Sequence, residues 1–263
     1  MKQEFVNSVV WITGGGSGLG EVLAIELARR GARVVISGRR QEKLNAVVAK
    51  IRRGGGRASA LPCDVTDDNA VQAAVAAIVA EHGRLDVAVA NAGVGVSGRF
   101  EKLTDAEWRR QFDINVIGLV STARHALPEL HKTNGRLVLI ASVVAFLVGK
   151  NTAPYCASKW AVRAIGIALA QELHGSGVTC TTIYPGFVES EITYVDNAGV
   201  FHPNRHDPRP KRLMWPGDRA AKVMADAIAK RKEHFVFTGH GKIAAWVGQH
   251  FPRLLSWGIK RFG

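Results

Sequence analysis

The turn Thr13-Gly14-Gly15-Gly16-Ser17-Gly18-Leu19-Gly20 constrains this chain more than any other stretch. It follows an apolar run of β character at residues 9–12 and leads into a helix-period segment at residues 19–30. Strand, glycine-rich turn and helix in that order are the setting a dinucleotide fingerprint needs. Glycines permit the tight turn and let the backbone approach a pyrophosphate. The helix that follows offers unpaired N–H groups and the positive end of its dipole.

The rest of the chain keeps the same alternation. Strand-like runs occupy residues 33–37, 58–61, 85–90, 137–141, 178–184 and 235–238, with helix-period stretches at 41–53, 69–82, 105–131, 155–175 and 218–232. Such alternation predicts an α/β fold, a mostly parallel sheet covered by helices on both faces with right-handed crossovers. With 263 residues, 47% of them hydrophobic, one large core is within reach and a single domain is expected. Ligand then belongs beyond the carboxyl ends of the strands, where the glycine turn, Asn91, Ser142 and Pro185 all fall.

A second constellation lies in Tyr155-Cys156-Ala157-Ser158-Lys159, whose tyrosine and lysine are stacked one turn apart on a helix. A free phenol, with a pKa of about 10, exchanges protons poorly near neutrality. A cation beside it favours the phenolate and is expected to lower that pKa, fitting the tyrosine for proton transfer with an alcohol or carbonyl.

Six ordered motifs can be quoted together. They are Thr13-Gly14-x-x-x-Gly18-x-Gly20, Asp64-Val65, Asn91-Ala92-Gly93, Asn115, Ser142 with Tyr155 and Lys159, and Pro185-Gly186. On these the chain resembles the short-chain dehydrogenase/reductase superfamily, in its single-domain branch, from about Val6 to Ser190. The resemblance implies a doubly wound (Rossmann) fold and an oxidoreductase interconverting a carbonyl and a secondary alcohol, with Tyr155 as proton donor or acceptor. It implies that Lys159 tunes Tyr155 and binds the nicotinamide ribose, that Ser142 polarises the substrate oxygen, and that Asn115 anchors a water of a proton relay. Thr13, Gly14, Ser17, Gly18, Leu19, Gly20, Asp64, Val65, Asn91, Ala92, Gly93, Tyr155, Lys159, Pro185, Gly186, Val188 and Ser190 would touch cofactor. Ser190 stands where the family tends to have threonine, and it keeps the hydroxyl. The resemblance also implies a homodimer or homotetramer built through the helices around 113–131 and 155–175.

The second strand decides the form of the cofactor. An acidic residue at its end would bind the ribose 2′-hydroxyl of NAD; here the chain reads Ser37-Gly38-Arg39-Arg40. Two arginines instead suit a 2′-phosphate, Arg39 foremost, with Ser37 as an added hydroxyl donor, so NADP(H) is expected.

Other chemistry finds little footing. Cys63, Cys156 and Cys180 are widely spaced and read as buried thiols of a reducing compartment, without a disulfide framework. His202 and His206 lie in a Pro/Arg-rich stretch rather than on a helix, and no metal site is expected. Thr66 and Thr104 are read as helix N-caps beside Asp67, Asp68, Asp105 and Glu107. The net charge of +13 attracts polyanions, but no nucleic-acid-binding signature or aromatic stacking platform accompanies it, so nucleic acid is an unlikely partner.

Two segments fall outside this pattern. Residues 187–216 hold four prolines and little periodicity, in the place of the family's substrate loop; Arg205, Arg209, Lys211 and Arg212 there are either solvated charges or a greeting for an anionic substrate. Residues 1–240 are thus read as the dinucleotide-binding domain with that loop included, and 241–263 as a basic amphipathic C-terminal segment. In the latter Ile243, Trp246, Val247, Phe251, Leu254, Leu255, Trp257, Ile259 and Phe262 recur at near-helical spacing, with Pro252 expected to break or kink the helix. The segment could pack on its own domain, roof an apolar pocket, join a neighbouring subunit or lie in a membrane interface as a peripheral contact. It is too interrupted to span a bilayer. The first strand begins almost at once, so no secretory signal is expected and the cytoplasm is the default compartment. The expected substrate is a small, lipophilic carbonyl or alcohol. The competing readings are an NADP(H)-binding sensor without turnover and a membrane-surface scaffold.

Overall fold

The computed structural model describes residues 4–262, with backbone only for Leu255 and Phe262, so the apolar readings of those two side chains and the final Gly263 lie outside the described residues. Seven parallel strands form one sheet: β1 (Val9–Thr13), β2 (Arg33–Gly38), β3 (Arg57–Pro62), β4 (Val87–Ala90), β5 (Arg136–Ile140), β6 (Thr179–Tyr184) and β7 (His234–Val236). Their order is β3-β2-β1-β4-β5-β6-β7, so the direction of winding reverses between β1 and β4. A crevice opens at such a reversal.

Strand alternation builds two cores. Trp11, Val35, Ala88, Leu137 and Leu139 face one side, and Ile12, Val34, Ile36, Val89 and Val138 the other. The first side is covered by α3 (Asp68–His82), α5 (Gly118–Thr133), α6 (Ala153–Glu172) and α8 (Gly239–His250), through residues such as Ile78, Leu130, Val162 and Ala245. The second is covered by α1 (Gly18–Arg29), α2 (Gln41–Arg53) and α7 (Gly217–Ala229), through Leu27, Val47 and Met224. Buried Arg30, just past α1, ties this layer together by pairing with Glu26 at 2.7 Å and Asp226 of α7 at 2.6 Å.

Two local expectations are corrected and two hold. The stretch 105–131 is not one α-helix: α4 (Asp105–Phe112) runs through a π-helical turn, Asp113–Ile117, into α5, the amide of Gly118 reaching back to the Asp113 carbonyl. Thr66 does not cap α3. Asp67 does, accepting from the amides of Asn69 and Ala70, while Thr66 turns its hydroxyl to Asp64. Thr104 does cap α4, in a reciprocal capping box with Glu107. At the C-terminus Pro252 ends one helix and begins the next, giving α9 (Pro252–Phe262), where its missing N–H costs nothing.

Candidate active site

The carboxyl ends of β1 and β4 are stitched into one ledge. Thr13 Oγ1 accepts from the amides of Asn91 and Ala92 at 3.1 and 3.2 Å, and Asn91 Nδ2 donates to the Thr13 and Gly14 carbonyls. Above it the glycine turn has no spare room. Gly14 has φ +66, and a Cβ on Gly20 would strike the Gly14 carbonyl and Asn91 Nδ2. The free amides at the start of α1 then face a cavity of about 310 Å³.

That cavity is lined by Gly14, Ser17, Gly18, Leu19, Gly20, Arg39, Arg40, Asp64, Val65, Asn91, Ala92, Gly93, Ser142, Tyr155, Lys159, Pro185, Gly186, Val188 and Ser190. Of the residues expected from the sequence, Thr13, Ser37 and Asn115 are the three not among its lining. Thr13 acts from beneath through the ledge. Ser37 is a correction: it is fully buried, its Oγ accepts from Trp11 Nε1 at 2.8 Å, and it faces the core rather than the cleft. Asn115 is buried in the π turn, where Oδ1 accepts from the Val94 amide at 2.8 Å and Nδ2 donates to the Val94 carbonyl and Ser158 Oγ. Both of its side-chain hydrogens are therefore engaged by protein, and its amide braces the chain after β4.

Residues that sequence reasoning missed complete this brace. Gln111, one turn before Asn115, accepts from the Val96 amide at 2.6 Å and donates to the Val94 carbonyl. Ser158 in turn donates to the Tyr155 carbonyl at 2.7 Å, joining the brace to α6. Gln111 and Asn115 stand four apart on a helical stretch, the spacing that could have marked them.

At the cavity floor, burial pushes the Tyr155 phenol up; a hydrogen bond with Ser142 and the nearby Arg209 guanidinium pull the other way. Burial is the largest influence on the phenol, ahead of its charged neighbours. The Lys159 ammonium donates to the Ile140 carbonyl at 2.8 Å and lies 5.9 Å from the centre of the Tyr155 ring. Burial depresses the lysine's own pKa from 10.5 to about 8.

The far end of the cavity is cationic. Arg39, Arg40, Lys43 and Arg110 all reach its wall. Arg110 has its pKa lowered first by burial and then by Arg39, so two guanidiniums share one small space. Glu191, from the 187–216 loop, lies between Arg40 at 3.5 Å and Lys43 at 3.4 Å. Arg40 also donates to Ser17 Oγ. Lys43 and Arg110 went unnoticed in the sequence because only the tertiary fold brings them beside Arg39.

The 187–216 loop is ordered by contacts across the cleft. Arg209 is no solvated charge: it donates to the Val188 carbonyl at 2.8 Å and to Ser190 Oγ at 3.0 Å, and pairs with Asp207. A short antiparallel bridge joins Val195 and Phe201, and Asn197 at its turn is held by Ser97, Glu107 and Arg110. His202 pairs with Asp196 at 2.7 Å rather than with His206. Among the described residues no group of histidine, cysteine or carboxylate side chains is placed to hold a metal. The three cysteines are free and buried, with burial raising Cys63 to about 11 and Cys180 to about 12.

Comparison with known proteins gives this geometry a family. The short chain dehydrogenase family model matches residues 8–199. A 3beta-hydroxysteroid dehydrogenase of Mediterraneibacter gnavus is 35% identical over 197 residues, covering 74% of this chain and 71% of that protein. An uncharacterized oxidoreductase of Myxococcus xanthus is 39% identical over 187 residues, covering 71% and 74%. Among solved structures, a short-chain dehydrogenase/reductase from Burkholderia phymatum in complex with NAD superposes with a TM-score of 0.83 at 27% identity, covering 98% of this chain and 95% of that one. An alcohol dehydrogenase from Thermococcus sibiricus complexed with 5-hydroxy-NADP shares the fold, with a TM-score of 0.75 at 23% identity over 88% and 96%.

Proposed function

The chain belongs to the short-chain dehydrogenase/reductase superfamily and is an oxidoreductase of that family; within it, we propose that it uses NADP(H) to interconvert a carbonyl and a secondary alcohol on a lipophilic substrate. One observation carries the reading: a cavity that is cationic beyond β2 and ends on Ser142, Tyr155 and Lys159. Arg39, Arg40, Lys43 and Arg110 suit the extra phosphate of NADP(H), and β2 ends in Ser37-Gly38-Arg39-Arg40 with no carboxylate at that position to take a 2′-hydroxyl. The glycine ledge suits the pyrophosphate. NAD in the Burkholderia phymatum structure leaves this argument standing on the chain's own residues.

Bound cofactor supplies or accepts the hydride. The protein does the rest. In carbonyl reduction Tyr155 Oη gives its proton to the substrate oxygen, and in oxidation it takes one back. Ser142 donates toward the same oxygen as charge develops there. Lys159 supplies a buried cation beside the phenol, and the Ile140 carbonyl orients its ammonium. Val94, Ile140, Ile192 and Val195 line the cavity and favour an apolar substrate body, in keeping with the steroid dehydrogenase named among the relatives. We place the protein in the cytoplasm as a homodimer or homotetramer, and exposed Ile117, Val120 and Trp160 on the 113–131 and 155–175 stretches supply apolar surface for that contact. A catalytically silent sensor would have no use for the Ser142–Tyr155 pair.

Parallel fluorescence titrations with NADPH and NADH test the reading, on the protein as it stands and on Arg39→Ala. NADPH preference that collapses in the variant, followed by NADPH oxidation with apolar ketones, is the expected outcome. Equal or tighter NADH binding would overturn the cofactor assignment. Turnover confined to small hydrophilic sugars or acids would overturn the substrate class.

A further inference from the structure

The C-terminal helices have two unlike sides. Along α8, Gly241, Ala245 and Gly248 are buried, and Gly248 sits so close to Phe146 that a Cβ there would strike the Phe146 carbonyl. Thr238 caps the helix by accepting from the Gly241 amide. This side is seated on the domain, against the turn Val143–Ala145 and Phe146 that directly follow Ser142. Side chains that point elsewhere stay in water. Ile243, Trp246, Phe251, Leu254 and Trp257 are exposed by 67%, 57%, 48%, 60% and 59%, values at which burying them on the chain's own domain no longer explains them. Trp246 stacks on His250 and leans on Phe251, so the apolar group continues across the α8–α9 junction. Exposed apolar patches of this size mark interaction surfaces.

Charge then selects the occupant. No Asp or Glu occurs after Glu233, while Lys242, Arg253, Lys260 and Arg261 carry four positive charges. A second copy seated on the same face would set these cations against their equals, which is repulsive. A surface of negative charge over hydrocarbon satisfies both features. No helix among the described residues is long and apolar enough to cross a membrane.

We propose that α8 and α9 dock the enzyme peripherally on an anionic phospholipid bilayer, with Trp246, Leu254 and Trp257 entering the interface and Lys242, Arg253, Lys260 and Arg261 meeting the headgroups. The inference goes beyond the reaction itself and stands without it. Because α8 rests on the turn after Ser142, docking sets the membrane beside the catalytic end of the cavity, where an apolar substrate would arrive from the bilayer.

Flotation of the full chain tests this. The probes are vesicles of phosphatidylcholine alone and of equal parts phosphatidylcholine and phosphatidylglycerol, at low and high salt. The protein is expected to float with the anionic vesicles at low salt, several-fold less at high salt, and to stay behind with phosphatidylcholine. Trp246→Glu combined with Trp257→Glu should abolish flotation while NADPH binding and circular dichroism stay unchanged, and Lys260→Gln with Arg261→Gln should weaken it several-fold. Failure to float with anionic vesicles overturns the proposal, as does equal flotation on both. A double tryptophan variant that still floats, or that only shifts the oligomeric mass in light scattering, assigns the face to another partner and overturns it as well.

Discussion

Between β1 and β6, most functional side chains hang from a strand end or a helix of regular period: Asn91 follows β4, Ser142 follows β5, and Tyr155 and Lys159 stand on α6, with Asn115 in the π turn the exception. In the 187–216 loop, position comes from partners far away in the chain. Asn197 is held by Ser97, a hundred residues earlier, and by Glu107, and Glu191 reaches across to Lys43. The first region is rigid because its contacts are buried and shared with the core. The second is held by a few polar contacts at the rim, and such segments open locally at small cost. The difference separates chemistry, assigned to the frame, from access and selectivity, assigned to the roof.

The sharpest way to break that division is Tyr155→Phe. Loss of the proton donor should lower kcat by about a hundredfold to ten-thousandfold while the NADPH dissociation constant hardly moves. Steady-state kinetics beside fluorescence titration reads both numbers, and a variant that keeps most of its turnover would remove the chemistry from the frame. Next comes Arg209→Ala. Losing charge-assisted bonds of about 1.5–3 kcal/mol should lower kcat/KM by roughly tenfold to a hundredfold. Protease should then cut within 187–216 far faster, yet Tm should move by no more than about 2 °C if the roof detaches without the frame. A large fall in Tm would mean the two regions unfold together.

A third effect is graded by pH. Lys159, held near 8 by burial, loses its proton as pH rises through that value, so kcat/KM for carbonyl reduction should fall about tenfold per pH unit above it. Tyr155 is pushed upward and keeps its donor proton over the same range. The stability sign is the reverse. The folded chain holds the Lys159 proton less tightly than the unfolded one, so between pH 8 and 10.5 the unfolded state binds more protons and stability rises with pH. Tm measured across that window should rise, and Lys159→Met should flatten the rise. Smallest is Glu191→Gln. Removing the carboxylate that occupies Arg40 and Lys43 should tighten NADPH binding by about two- to fivefold at low salt, the opposite direction to Arg39→Ala, and the gain should fade as salt is added. Weaker NADPH binding in that variant would show that Glu191 helps the cofactor rather than competing with it.

Periodicity and turn chemistry are local, and that is why the frame could be read so far ahead. Alternation predicts β1–β7, and the glycine turn, Tyr155 and Lys159 announce themselves by spacing. Ser37 was also readable. It lies an even number of residues from Val35, which faces the same core as Trp11, so alternation alone turns it inward. The neighbouring Thr66 and Asp67 compete to cap one helix, and the choice depends on Asp64 taking the threonine. Lys43, Arg110 and Glu191 meet only once α2, α4 and the loop converge, and no single stretch of sequence records that meeting. The Lys159–Tyr155 spacing placed both side chains correctly, but the sign of the tyrosine's shift depends on burial, which spacing does not carry.

The π turn at Asp113–Ile117 carries a consequence for how this gene can vary. The Asp113 carbonyl accepts from Gly118, five residues on, where a regular helix would use a partner four residues on. The turn therefore holds one residue more than regular winding needs. Removing a single residue from it lets 105–133 close into an ordinary helix with both flanks still in phase, because the wide turn is what absorbs the extra residue. Gln111 then keeps the chain at 94–96, and Leu119, Ala123 and Leu130 keep the sheet, so the cost of such a deletion is local to the turn. A residue lost from a regular stretch of α5 has no such outlet and would rotate everything after it by about 100°. Length variation within 105–133 is therefore expected at 113–117 before anywhere else.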